Sequence, residues 1–345
     1  MNTELNQISV SFSTKKFLKY LLILILSSVV GCNSSTIEDA IDVIDEPDRK
    51  TIDVSKLGLN AFVNDSRFGT ANQQLLEVRD TLKINHVRLL FNWDDASHPS
   101  ASVAPNFSFV DNVVSAIPDG MSAIIVLTAM PSWMRSSQNW INGNPRATFV
   151  ERWVKPISRR FKDSSRIAGW EIWNEPNMVT SDNSLMGFVE SPENYVEMLA
   201  MAFNVVKDVD PDALVITAAT TAINQNYPES LDYNRKMRDA GAIEFTDKWN
   251  VHYYGKQFEN VVRPNGVSSF LNGLSKGILV TESGAQGIAE QLAYGEKVWP
   301  YLLEKIPGIE RIYIYQFTED SSPANTYGLK NPSRENPVSD LYEHL

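Results

Sequence analysis

The chain has 345 residues, 43% of them apolar, and a formal net charge of −11 at pH 7. That acidity excludes a nucleic-acid binder and charge-driven adhesion to anionic lipid, since both need a basic face; neutral and cationic partners remain open. Cys32 is the only cysteine, which excludes a disulfide within the chain.

The first elements differ from all that follow. Lys15, Lys16 and Lys19 precede an apolar run from Tyr20 to Val30 that stops at Gly31 and Cys32. The run is too short to cross a bilayer, which takes about 20 residues as a helix, so residues 1–31 are expected to be a signal peptide. Val29-Val30-Gly31-Cys32 resembles a bacterial lipobox. The resemblance implies cleavage before Cys32, acylation of its thiol by palmitate-like chains, and anchorage to a membrane of the cell envelope. Asn33 in the next position resembles the sorting signal of outer-membrane lipoproteins, facing the periplasm or the surface. Residues 32–55 are rich in Asp, Glu, Ser and Thr without a sustained apolar period, so they predict a solvated tether. The fold is then expected over 56–345.

From there, apolar runs of strand length alternate with stretches of helical period. The predicted strands are Leu57–Val63, Val87–Trp93, Ser122–Met130, Gly169–Asn174, Leu214–Ala219, Trp249–Tyr254, Gly277–Thr281 and Arg311–Phe317. Between them lie predicted helices, among them Ala71–Leu82, Phe149–Phe161, Pro192–Val209, Glu229–Ala240 and Ile288–Ile306. A crossover after every strand favours parallel pairing, and eight strand-then-helix units predict an α/β fold, a single-domain (β/α)8 TIM barrel. A doubly wound open sheet would usually carry a glycine-rich turn after its first strand, and Val63 is followed by none.

A barrel of this kind works at the C-terminal ends of its strands. The fourth predicted strand ends Trp170-Glu171-Ile172-Trp173-Asn174-Glu175-Pro176, and the seventh ends Val280-Thr281-Glu282-Ser283-Gly284. Pro176 disfavours helical geometry for Glu175, which is therefore expected at a last extended position facing the mouth. Two carboxyl groups across a cleft suit glycoside hydrolysis, where one protonates the leaving oxygen while the other attacks the anomeric carbon or activates water. Facing strands of a narrow barrel favour a separation of about 5 Å and a covalent, retaining route, with Glu282 ionised and Glu175 protonated at the start. Arg88 interrupts Val87-Arg88-Leu89-Leu90-Phe91 and needs an interior carboxylate, for which Glu282 is the natural partner. His252 and Tyr254, two apart on one strand, face the same way. Tyr254 is expected to donate to Glu282 and His252 to line the sugar site, while Glu171 is expected as a supporting partner.

Trp173-Asn174-Glu175-Pro176 together with Thr281-Glu282-Ser283-Gly284 resembles glycoside hydrolase clan A, most of all families 39 and 5. The resemblance spans the whole domain. It implies that Glu175 is the acid/base, that Asn174 hydrogen-bonds the substrate 2-hydroxyl, and that Glu282 is the nucleophile. One feature departs from the clan: many members end strand eight in a tryptophan that floors the central sugar site, and this chain has Tyr313-Ile314-Tyr315-Gln316-Phe317. Trp133, just beyond the third predicted strand, is a candidate for stacking on a pyranose ring. No helical histidine pair stands at ligand spacing, so neither a metal nor a cofactor is expected.

These features together predict a retaining β-glycoside hydrolase, endo-acting on an extracellular or envelope polysaccharide. A transglycosylase remodelling such a polysaccharide and a non-catalytic polysaccharide-binding lipoprotein are the alternatives. No obligate protein partner is evident.

Overall fold

Eight short strands of mainly aliphatic residues, each followed by helical chain that covers its outer face, close on one another in sequence order as a parallel (β/α)8 barrel in the computed structural model. Residues 46–331 and 338–345 are described; the signal peptide expected at 1–31, Cys32 and most of the tether lie outside the described residues. The strands are β1 (Leu57–Asn60), β2 (His86–Asn92), β3 (Ser122–Thr128), β4 (Ile167–Ile172), β5 (Leu214–Thr217), β6 (Lys248–Tyr254), β7 (Gly277–Gly284) and β8 (Ile309–Ile314). The crossovers run through α1 (Ala71–Asp80), α2 (Ser108–Ala116), α3 (Pro145–Phe149), α4 (Lys155–Arg160), α5 (Ser181–Met186), α6 (Pro192–Val209), α7 (Glu229–Asp239), α8 (Phe258–Val262), α9 (Val267–Asn272) and α10 (Glu290–Lys305), with α11 (Asp340–His344) after β8. A single π-helical stretch, Val150–Val154, joins α3 to α4 just ahead of Pro156, which has no N–H to offer an α-helical ladder. The helix foreseen at Phe149 starts earlier, because the Asn144 side chain caps Arg146 and Ala147.

Side chains alternate along each strand, so one set packs outward on the helices and the other fills the barrel. Ile124, Ile216, Leu279 and Tyr313, from β3, β5, β7 and β8, form an apolar plug separate from the main core. Gly58 on β1 makes room for it: a Cβ there would stand 2.4 Å from the Tyr313 ring. Polar side chains occupy the rest of the interior, with Asn60, Arg88, Glu171, Asn250 and His252 all buried. Burial of such groups is offset by hydrogen bonds, which most of their polar atoms make; Asn250 Nδ2 and His252 Nε2 are exceptions.

The tether boundary needs correction. The folded unit begins at Pro47, not at Lys56. Ile52 is buried in the main core, and Lys50 pairs through Nζ with Glu304 at 2.8 Å while Arg49 pairs with Glu296. The physical reason lies in α10, whose Pro300 cannot bond the carbonyl four residues back, that of Glu296. The Lys50 amide donates to that carbonyl instead, at 2.9 Å. An opening in one helix thus orders the segment that precedes the first strand.

Candidate active site

Both glutamates stand at the C-terminal mouth, but the chain delivers them in different ways. β4 ends at Ile172, short of the predicted Asn174, because Trp173 turns left-handed at φ 76°. Glu175 is left-handed too, at φ 45°, so the extended geometry expected before Pro176 is not adopted; the proline's veto on helical geometry is met by the other allowed basin. Non-glycine residues in this basin are strained by about 1–2 kcal/mol each, so surrounding bonds must hold them there. Those bonds are present. The Trp173 amide donates to Leu127 O and the Glu175 amide to Ala219 O, both at 2.9 Å. Asn183, buried on α5, accepts the Trp173 indole N–H at 2.7 Å and donates to the carbonyls of Glu175 and Met178 at 2.8 and 2.7 Å. Asn183 was not foreseen from sequence; its only signal is an amide residue near the start of a short helix, three after a Thr cap.

On the other side, Glu282 lies inside β7, which runs to Gly284 rather than ending at Thr281. Leu279 faces the barrel, so strict alternation would turn Glu282 outward. A register irregularity between Val280 and Ser283 breaks that alternation, and the same slip pairs His252 with Glu282 after Val251 with Val280. This is the use of a bulge beside a functional site: one extra residue re-aims the next side chain.

Arg88 ties the interior together. Its five N–H groups donate to Glu171 twice at 2.8 Å, to Glu282 at 2.6 Å, to Asn60 at 2.9 Å and to Asn174 at 2.8 Å. Every donor of the buried guanidinium is therefore satisfied, and Glu171 takes the two-pronged share of it. Tyr254 donates to the other Glu282 oxygen at 2.8 Å. Burial on its own would raise the Glu282 carboxyl, but the His252 and Arg88 charges and the bonds from Tyr254 and Arg88 outweigh it and hold the group below the ordinary carboxylate range. The Tyr254 phenol moves well upward, through burial and the facing Glu282 charge.

His252 does not line the sugar site as expected. It is fully buried, with Nδ1 at 3.1 Å from Glu175 and Nε2 at 3.5 Å from Glu282, so one imidazole stands behind and between the two carboxylates. Nε2 makes no hydrogen bond. Glu175 is the more open of the pair, its side chain 20% exposed against 12% for Glu282. It borders a cavity of about 360 Å³ with Leu90, Ala129, Trp173, Asn174 and Met178. With its Oδ1 on Arg88, Asn174 keeps its amide N–H groups for that cavity.

Trp133 is half-buried: its indole N–H donates to His98 O at 2.8 Å, and its ring makes T-shaped contacts with Trp93 and His98. At strand eight, Tyr313 is in the barrel plug and Phe317 in the main core. Tyr315 is the aromatic that stands at the site. Edge-on to Tyr254 at 6.0 Å, its phenol is pushed up to about 12 by burial and by the charge of Glu282. Among the described residues no group of three or more His, Cys, Asp or Glu side chains is placed to hold a metal ion, and no helix is long and apolar enough to cross a membrane.

Solved structures that share this architecture include glycosidases. A family 39 β-xylosidase from Caulobacter crescentus superposes with a TM-score of 0.61 at 16% identity, over 87% of this chain and 72% of that one. A family 39 glycoside hydrolase from the gut symbiont Bacteroides cellulosilyticus WH2 gives 0.60 at 16% identity over 86% of this chain, which spans only 62% of that protein's length. Endo-glycoceramidase II from a Rhodococcus species gives 0.57 at 15% identity, with 87% and 81% covered. Likeness at such identities is likeness of fold. No curated protein matches the sequence. The family profile of the cellulases, glycosyl hydrolase family 5, matches residues 47–298, and the chain therefore belongs to that family and is a retaining clan A glycosidase acting on carbohydrate.

Proposed function

We propose that the protein cleaves internal β-linkages of an extracellular or envelope polysaccharide by double displacement, with Glu282 as nucleophile and Glu175 as general acid and base. The observation that supports this most is the division of environments around one imidazole: Glu282 in a niche of Arg88 and Tyr254 donors, Glu175 on the cavity wall. Unlike surroundings are what let two carboxyl groups hold different protonation states. In the first step the Glu282 carboxylate attacks the anomeric carbon, the glycosidic C–O bond breaks, and Glu175 gives its proton to the leaving oxygen. In the second, Glu175 takes a proton from water, whose oxygen displaces Glu282 from the anomeric carbon. Asn174 donates to the 2-hydroxyl. Arg88 and Tyr254 keep Glu282 ionised, and His252 orients Glu175 through Nδ1.

Azide rescue tests the assignment. With an aryl β-glycoside of a sugar found by screening β-glucans, mannans, xylans and exopolysaccharides, Glu175→Ala should accumulate a glycosyl-enzyme and yield a β-glycosyl azide. Glu282→Ala should lose nearly all hydrolysis, and azide there can give only the inverted α product. Products of the opposite configuration from the two variants would reverse the roles. Viscosity loss ahead of sugar release would bear out internal cleavage; release of single sugars from the outset would refute it.

The motif ending at Cys32 supports a lipid anchor in the envelope. Cys32→Ser should move the protein from the detergent to the aqueous phase. Unchanged partition would refute the anchor.

A further inference from the structure

Beside the Glu175 cleft lies a second cavity, also about 360 Å³, between the ends of β1 and β2 and helix α2. Its depth is apolar: Leu89, Phe91, Val110 and Val113 are buried around it, and Phe62 and Phe109 form its walls. Phe109 is 49% exposed and meets Phe91 edge-on at 6.3 Å, so an aromatic ring stands at the entrance rather than in the core. Polar groups, Asn64, Asn92 and Asp94 among them, also line it.

Two walls connect this cavity to the carboxylates. Leu90 lines both cavities, with Asn174 and Glu175 on its far side. Phe62 lies edge-on to Tyr315, Tyr315 to Tyr254, and Tyr254 donates to Glu282. A molecule cleaved between Glu175 and Glu282 thus has a neighbouring part within reach of the cavity. What that part is follows from desolvation. A sugar unit carries hydroxyls all round, and sealing them against Leu, Val and Phe side chains without partners costs about 1–3 kcal/mol each. An alkyl, acyl or aryl group loses nothing there and gains burial. Concave apolar sites with a few polar groups are the usual form of a small-molecule site.

We propose that this cavity is a subsite for an apolar substituent of the substrate, an alkyl, acyl or aryl group carried next to the cleaved linkage. The proposal rests on the glycosidase reading of the cleft and narrows its substrate to amphiphilic saccharides. The alkyl chain is carried either as an aglycone or as an acyl ester on a sugar.

The test is a calorimetric titration of non-hydrolysable S-alkyl β-thioglycosides, methyl to octyl, kept below micelle formation. The sugar is the one the substrate screen selects. In the wild type, octyl should bind at least tenfold tighter than methyl. Phe109→Asp should remove most of that gain and leave methyl binding unchanged, and Ala96→Trp, an exposed position on the same lining, should do the same by filling the space. Both sites are at the surface, so the variants should fold. Glu282→Ala should keep the chain-length dependence. A parallel series of O-acyl esters on the methyl thioglycoside separates the two sources, since only the favoured attachment should show the dependence. Affinity independent of chain length in both series overturns the proposal, and so does a dependence that both cavity variants leave intact. Free 1-hexanol reads the cavity without a sugar: hexanol binding lost in Phe109→Asp, in a protein that turns over no β-glycoside, would uphold the apolar site while the glycosidase reading of the cleft fails.

Discussion

The two carboxylates compare as a loop against a strand. Glu175 stands three residues beyond β4, on a turn made by two left-handed residues and pinned from below by Asn183. Glu282 stands within β7, re-aimed by a bulge and fixed by Arg88 and Tyr254. On the proposed assignment, the nucleophile's position demands constancy, because its charge must persist in a nearly dry niche. An acid and base that exchanges its proton with both leaving group and water needs access, and the more open loop position supplies it. The barrel thus separates the two demands by placing one group within a strand and the other just past an element's end.

The sharpest way to break the comparison is to remove the cation on the strand side. Arg88→Met would leave the buried Glu171 without its cation and Glu282 with the His252 charge alone. Breaking a buried pair by deleting one partner costs about 3–5 kcal/mol. Urea unfolding should show a loss of that size, and kcat should fall by about 10²–10³-fold as the ionised nucleophile is lost. A variant of wild-type stability would mean that the interior network contributes little to the fold. Next in size is the loop side. Asn183→Ala strips one acceptor and two donors from the turn that carries Glu175, an expected stability loss of about 1–3 kcal/mol. Because the change acts on the position of Glu175, kcat should drop roughly 10–100-fold with KM little altered. Trp173→Phe removes the indole bond to Asn183 and part of a buried ring packed on Phe149 and Phe188, but keeps both Asn183 bonds to the turn carbonyls, so kcat should fall less. Equal losses from the two variants would place the effect in packing and not in the turn.

How much of this was legible in the sequence follows from how local each feature is. The barrel could be read because alternation of strand and helix is written in short-range periodicity. Glu175, Glu282 and Arg88 stood out because a carboxylate at a strand end, or a guanidinium inside an apolar run, demands an explanation wherever it occurs. The pairing of Tyr254 with Glu282 followed from strand parity. Parity does not reach everything. A bulge is a property of two strands' register, so nothing within Gly277–Thr281 announced that β7 would continue and turn Glu282 inward. The left-handed turn at Trp173 and Glu175 depends on Asn183 from another element, and the ordering of residues 47–55 depends on a carbonyl exposed by Pro300 some 250 residues later. His252 shares a face with Tyr254 as parity requires. Being two residues deeper in the barrel, it meets carboxylates where a sugar was expected.

The smallest expected effect concerns the single bond from Tyr254 to Glu282. Glu282 is held below the ordinary carboxylate range, so in the wild type it stays ionised to a lower pH than a free glutamate would, and the acid limb of kcat/KM should lie correspondingly low. Tyr254→Phe deletes one of the groups that hold it down, while Arg88 and His252 remain. The acid limb should therefore move upward, toward the ordinary value. Loss of activity should be largest on the acid side, about tenfold, and smaller at neutral pH where Glu282 is ionised in both proteins. Stability carries the same sign. A carboxylate depressed in the folded state contributes stability that is present above its unfolded pKa and lost as pH falls through its folded one, so the variant should lose less stability on acidification than the wild type does. The pH profile of kcat/KM and urea unfolding at a series of acidic pH values would measure the two. An acid limb that stays where it is, with activity reduced equally at every pH, would show that Tyr254 acts on substrate placement and not on the charge of Glu282.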